Sequence, residues 1–410
     1  MKNRTQVFLN IIGNVFLLFS QWLISVFIAR FYDFANAGVF SLAMTYGNLV
    51  SIIASFSSRS YMLSDSVNVF SYNQYISFRI FSSVLSFLLC LLLLFIFQYD
   101  INTSTSILFY SLYSVSTMIS DILYAIYQKQ NHLEYSFYSM ALKGIFCICS
   151  FFISSFCFRR LQVALFFMSF SSFFTFVFVD IPLYSSTKKN RESFCLDFSK
   201  ISILVKECFP IMMSTLLPSV VVSVPRLVVQ KYLGDELLGI YGSIFSPTVL
   251  INTIVPALVF SIIPKLSVMW LEHDVRSFFQ CVLKIITFTL IFGLILSFGA
   301  WLCGKFFLGL LYGKEILSYF DLFYYAIATT VLSATASTCT VLLTIIRKTK
   351  VSFVCTFVTL VIVVAFSNLF VSSWGLWGAS MCLICAYFVE VLLKLVILCR
   401  EGKNACKKKV

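Results

Sequence analysis

The stretch FSSVLSFLLCLLLLFIFQY, Phe81–Tyr99, decides the fold class: it holds no charged residue from end to end. As an α-helix rising about 1.5 Å per residue it reaches about 28 Å, close to the thickness of a bilayer's hydrocarbon core. Val351–Phe388 is a second charge-free run, long enough for two such crossings. Both are continuously apolar. A membrane β-barrel would instead show short segments alternating between apolar and polar. A helix satisfies its own backbone hydrogen bonds inside lipid, so these runs predict helices.

The rest of the chain agrees. Of 410 residues, 60% are hydrophobic and 11% are charged, where a soluble domain carries about 25% charge. There is too little polar surface here to cover a water-facing globule. The net charge of +13 would fit nucleic acid in a soluble protein. In a membrane chain it fits cations gathered in cytoplasmic loops. The 14 cysteines scatter through apolar runs with no CxxC pairing, so they read as small hydrophobes rather than a disulfide framework or a zinc site. The two histidines, His132 and His273, are far apart and read as loop residues. No metal site is expected. Walker A, GxSxG and HExxH patterns are missing, so the chain reads as a transporter rather than an enzyme. Val7–Ala29 exceeds the roughly 7–15 residues of a signal-peptide core and reads as the first membrane helix.

Twelve spans are expected, near 7–29, 36–57, 80–98, 107–127, 135–157, 161–180, 207–229, 239–262, 281–303, 319–345, 351–372 and 376–399. With the N-terminus inside, 22 of the 30 Lys and Arg fall in inner segments, 7 in outer ones, and Lys143 within a span. This bias predicts both ends on the cytoplasmic side of a bacterial inner membrane. The inner linker at 183–206 carries five of the cations and divides the chain into an N-terminal lobe, 1–182, and a C-terminal lobe, 207–399, with a basic tail at 400–410. RFYDFANAGVF (Arg30–Phe40) aligns with KYLGDELLGIY (Lys231–Tyr241), each between the first two spans of its half. The expected fold is an all-α integral membrane bundle: two six-helix lobes related by a pseudo-twofold axis along the membrane normal.

Charges inside spans are expensive and face a partner or a cavity. The candidates are Asp121, Lys143, Arg226 and the pair Glu390–Lys394, whose i,i+4 spacing suits a helical ion pair. Arg30 sits at the outer end of the first span, where interfacial anchoring is the default. Pro210, Pro218, Pro225, Pro247, Pro256 and Pro264 cluster in and after the seventh and eighth spans. There they predict kinked helices.

Several motifs then carry a resemblance. Arg59-Ser60-Tyr61-Met62-Leu63-Ser64-Asp65 with Tyr75 and Arg79, Gln128-Lys129 before Lys143-Gly144, Asp180-Ile181-Pro182, Phe209-Pro210, Pro225-Arg226 and Leu238-Gly239-Ile240-Tyr241 are similar to stretches of oligosaccharide flippases. In order and spacing the chain resembles a Wzx-type O-antigen or capsular polysaccharide flippase of the MOP (MATE-like) superfamily. The resemblance implies a substrate: an oligosaccharide repeat linked by diphosphate to undecaprenol, moved from the inner to the outer leaflet by alternating access. It also implies Lys143, Arg226, Arg30 and Arg59 as substrate-binding cations, and Asp121 as the coupling site for H⁺ or Na⁺ with no other cofactor. Polymerase and chain-length components of the glycan pathway would be partners. A cation-coupled drug or metabolite exporter of the same superfamily is the alternative.

Overall fold

A computed structural model describes residues 2–65, 69–187, 198–248, 259, 262–263, 265–272 and 274–407. The described residues are almost entirely helical. In chain order they form α1 (Lys2–Phe31), α2 (Phe34–Ser55), α3 (Ser58–Ser64), α4 (Tyr72–Phe97), α5 (Ile101–Lys129), α6 (Leu133–Phe158) and α7 (Leu161–Thr175). A π-helical turn, Phe176–Asp180, leads into α8 (Ile181–Thr187). Then come α9 (Phe198–Phe245), α10 (Val275–Gly299), α11 (Lys305–Tyr312), α12 (Leu322–Ile345) and α13 (Thr349–Lys407).

Among the described residues ten stretches are long and apolar enough to cross a membrane. Two of them break at glycines in non-helical conformation, Gly234 in α9 (φ 85°) and Gly375 in α13 (φ 57°). Left-handed φ values suit glycine because it has no Cβ. The break in α13 separates the expected eleventh and twelfth spans. The break in α9 separates the seventh from the start of the eighth, most of whose expected remainder lies outside the described residues, as do Pro256, Pro264, His273 and the basic linker residues Lys188, Lys189 and Arg191.

Local chemistry sets several ends. Asp33 caps α2 by accepting from the Asn36 N–H, and Asp274 caps α10 by accepting from the Ser277 N–H. Ser71 and Gln74 form a reciprocal capping box that starts α4 at Tyr72. The third span therefore begins earlier than the apolar run alone predicts, and Arg79 lies inside the helix, fully buried, rather than in a loop.

The burial pattern is inverted relative to a soluble protein. Phe95 is 77% exposed, Leu294 69% and Trp301 67%, whereas Arg79, Lys143 and Asp180 are wholly buried. Only lipid accommodates such an outside. Between helices lie small hydroxyl residues, including Ser82, Ser83, Ser86, Ser111, Ser114 and Ser120, which permit close helix approach. A Cβ on Gly47 would overlap the Tyr110 ring, so this glycine sets the contact of α2 with α5.

The chain forms two compact units, Met1–Ser219 and Val220–Val410. In the first, Tyr75, Phe78, Tyr127 and Met140 pack with Leu204, Cys208 and Met212 of α9. In the second, one cluster centres on Phe278, Val282, Leu342 and Leu343, and another on Val221, Val363, Leu383 and Ala386.

Candidate functional site

In the first unit two charge clusters sit on consecutive residues of α5. Ser120 Oγ accepts from Lys143 Nζ at 2.5 Å and donates to Asp180 Oδ2 at 2.5 Å. Lys143 Nζ is itself 3.5 Å from Asp180 Oδ2. The other carboxylate oxygen accepts from Ser139, whose hydroxyl also meets Tyr124 Oη at 2.6 Å. The π-helical turn ends at Asp180. Such turns insert an extra residue into the helix and are frequent at functional sites. Lys143 and Asp180 thus form a closed, neutralised pair, with no exposed surface on either side chain.

The neighbouring Asp121 is shared by two arginines. Its Oδ1 accepts from Arg59, and its Oδ2 accepts from Arg79 at 3.4 Å. Arg59 reaches on to Gln128 Oε1 at 3.2 Å, and Arg79 to the Ala54 carbonyl at 3.4 Å. The structure therefore brings Arg59 and Asp121 together, as two candidates from different spans. In the same unit, the Asp65 carboxylate accepts from the Val69 and Phe70 N–H groups and the Tyr75 hydroxyl, while Lys129 donates to the Asp65 carbonyl at 2.7 Å. Burial would raise this carboxyl, but the Val69, Tyr75 and Phe70 donors and the Lys129 charge together hold it below the usual carboxylate range.

The second unit repeats the theme once and departs from it once. Glu390 Oε1 accepts from Lys394 at 2.5 Å and Thr356 at 2.7 Å, and Lys394 also donates to Thr340 at 2.7 Å. This buried i,i+4 pair is the one the spacing predicts. Arg226 differs. It forms no ion pair among the described residues, its Nε is buried without a hydrogen-bond partner, and the groups that bear on it electrostatically are the phenols of Tyr241 and Tyr387. Arg30 is exposed at the C-terminal end of α1.

Sequence reasoning singled out Lys143, Arg59, Asp121 and Arg226. It passed over Asp180 as an acid and took Arg79 for a loop residue. An acid ending the apolar run Phe176–Val179 was the available signal for Asp180, since a lysine at this depth needs a counter-charge. Among the described residues no group of three His, Cys, Asp or Glu side chains converges as a metal site.

Residues 64–270, just over half of the chain, match the family described as polysaccharide biosynthesis protein. The chain belongs to this family. As a member of the polysaccharide biosynthesis protein family, it is 24% identical over 404 residues to the capsular polysaccharide biosynthesis protein CapF of Staphylococcus aureus, a match covering 96% of this chain and 97% of the relative. Solved structures of the MOP superfamily share its fold. An inward-facing multidrug resistance MATE transporter superposes with a TM-score of 0.68 at 13% identity, over 99% of this chain and 96% of the other. A MOP transporter from Pyrococcus furiosus, described as having a binding pocket of reversed polarity, gives 0.57 at 14% identity, over 98% and 96%. The family member is thus a multi-pass membrane helical bundle with the fold of MOP transporters.

Proposed function

We propose that this chain is a flippase that carries an undecaprenyl-diphosphate-linked oligosaccharide repeat from the cytoplasmic to the outer leaflet of a bacterial inner membrane, by alternating access of two six-helix lobes (1–182 and 207–399). The observation that carries the proposal is a set of cations held at membrane depth in a polysaccharide biosynthesis family member. An anionic diphosphate or acidic sugar needs such cations to leave water. The roles divide by environment. Arg226 has no carboxylate partner among the described residues and contacts the anion directly. Arg59, partly exposed, and Arg30, exposed, meet the head group at its entry and exit. Lys143 reaches the substrate only in a state in which its pair with Asp180 opens. Coupling of H⁺ or Na⁺ at Asp121 competes with Arg59 and Arg79 for the carboxylate, so ion binding there would free two arginines. A coupling cation is not obligatory, because the membrane potential supplies about 2.3 kcal/mol per charge per 100 mV.

The test is complementation of a deletion strain. Surface glycan is expected to disappear on deletion and return with the wild-type gene. Arg226→Ala at normal protein level is expected to leave export defective. Unchanged glycan in the deletion strain, together with altered drug resistance, would favour an exporter of drugs or metabolites. Polymerase and chain-length components are the expected partners, checked by cross-linking in the producing strain.

A further inference from the structure

Buried or partly buried cations lie within the apolar helices of both units. Arg79 is paired with Asp121, Lys143 with Asp180 and Lys394 with Glu390. Arg226 has no such partner among the described residues. An uncompensated cation away from water is strongly unfavourable, so its retention needs a reason.

The surroundings of Arg226 supply one. Tyr241 and Ser380 are 1% and 0% exposed, yet the Tyr241 hydroxyl and the Ser380 hydroxyl lack hydrogen-bond partners, as does Arg226 Nε. Tyr241 lies close to Arg226, and its hydroxyl faces that of Ser380. Three unmet donors therefore gather from three helical segments. Arg226 precedes the Gly234 turn by about two helical turns, Tyr241 follows it by about two, and Ser380 follows the Gly375 turn by about one. The two glycine turns adjoin, because Leu233 Cδ1 lies 3.9 Å from where a Gly375 Cβ would stand.

We infer that Arg226, Tyr241 and Ser380 form a seat for an anionic oxygen group, built wholly within the second unit. The guanidinium offers a planar fork of N–H donors and the two hydroxyls can each turn a proton toward the same oxygen. Among the described residues no carboxylate forms an ion pair with Arg226. The shared chemistry is an anionic oxygen, brought either by a polyprenyl diphosphate or by the carboxylate of an acidic sugar. The identity of the cargo rests on the transport reading above; the seat does not.

The experiment is calorimetric titration of the purified full-length protein with three probes: farnesyl diphosphate, farnesol and a glucuronate disaccharide. The variants are Arg226→Gln, Tyr241→Phe and Ser380→Ala. The last two remove one oxygen each and are checked by gel filtration and melting temperature. Affinity for farnesyl diphosphate is expected to fall about tenfold or more in Arg226→Gln and severalfold in the other two, with the weaker binding of farnesol unchanged. Loss confined to the glucuronate probe upholds the seat and assigns its anion to an acidic sugar. Unchanged affinity for both anionic probes in all three variants overturns the seat, leaving the three donors bridged by water only. Weakened binding beside normal export in the deletion strain upholds the seat and removes the transport reading.

Discussion

Lys143 Nζ lies 3.5 Å from Asp180 Oδ2, and neither side chain has any exposed surface. The two charges come from different helices, and Ser120 bridges them by accepting a hydrogen bond from Lys143 and donating one to Asp180. The arrangement neutralises a lysine that hydropathy alone would leave stranded.

Removing one member of this pair should therefore be worse than removing both. Lys143→Met is expected to destabilise the protein by about 3–5 kcal/mol, because it leaves an uncompensated carboxylate in a dry interior. The double variant Lys143→Met with Asp180→Leu should recover most of that loss. Thermal unfolding in detergent, arranged as a double-mutant cycle, measures the coupling. Additive losses would show that the two groups do not act as a pair.

The arginines on Asp121 should prove unequal. Arg79 is wholly buried and Arg59 is 29% exposed. After Asp121→Asn, Arg59 can turn to water, whereas Arg79 keeps only the Ala54 carbonyl. Arg59→Gln is thus expected to lower the melting temperature little, since exposed pairs contribute about 0–1 kcal/mol. Asp121→Asn should lower it clearly. Equal effects would mean that Arg79 finds other solvation.

Two glycines, Gly378 in α13 and Gly299 at the end of α10, give a steric test. A Cβ on Gly378 would overlap the Phe370 carbonyl oxygen across the Gly375 turn, whereas one on Gly299 meets nothing. Gly299 also has ordinary helical φ and ψ of −61° and −39°. Gly378→Ala should reduce folded protein severely. Gly299→Ala should be neutral or stabilising by up to about 1 kcal/mol, from helix propensity. Fluorescence-detected gel filtration of the two variants compares them directly.

Apolar runs made the crossings legible, because a span is a property of twenty consecutive residues. What pairs with what was not legible, because Lys143 and Asp180, or Arg79 and Asp121, meet only through tertiary packing. The start of α4 was hidden for a local reason: its first turn, Tyr72–Tyr75, is polar, and only the Ser71–Gln74 capping box marks it as helix. The turn at Gly234 was legible by likeness, since it aligns with Asp33, the cap that begins α2. For the donors around Arg226 one hint is legible, the arginine itself within an apolar span. Tyr241 and Ser380 look like ordinary interfacial residues until the helices are placed.

Asp65 lies just beyond α3 and provides a pH test. Its carboxyl is held low in the folded protein by the Val69 and Phe70 N–H groups, the Tyr75 hydroxyl and Lys129. A carboxylate with a depressed folded value stabilises the fold above its unfolded value, near 4, and loses that contribution as pH falls through the folded value. Wild-type protein should therefore lose melting temperature below about pH 4 more steeply than Asp65→Asn, and the two curves should converge in acid. Parallel curves would show that the loop does not depend on the ionised form.

Orientation is the last expectation and the most direct to check. The Lys and Arg asymmetry predicts both chain ends on the cytoplasmic side and the α6–α7 turn, Arg159-Arg160, outside. Those two arginines are the strongest local exception to the bias, because they put adjacent cations on the outer side. Arg159 closes α6 in a left-handed conformation with φ 50°, so it serves the turn as well as carrying charge. A green fluorescent protein fused after residue 410 should fluoresce, since it matures only inside. Alkaline phosphatase fused after Arg160 should be active, since it needs the oxidising outer side to form its disulfides. The reverse pair of results would invert the whole bundle and move the Arg59–Asp121 cluster to the outer mouth.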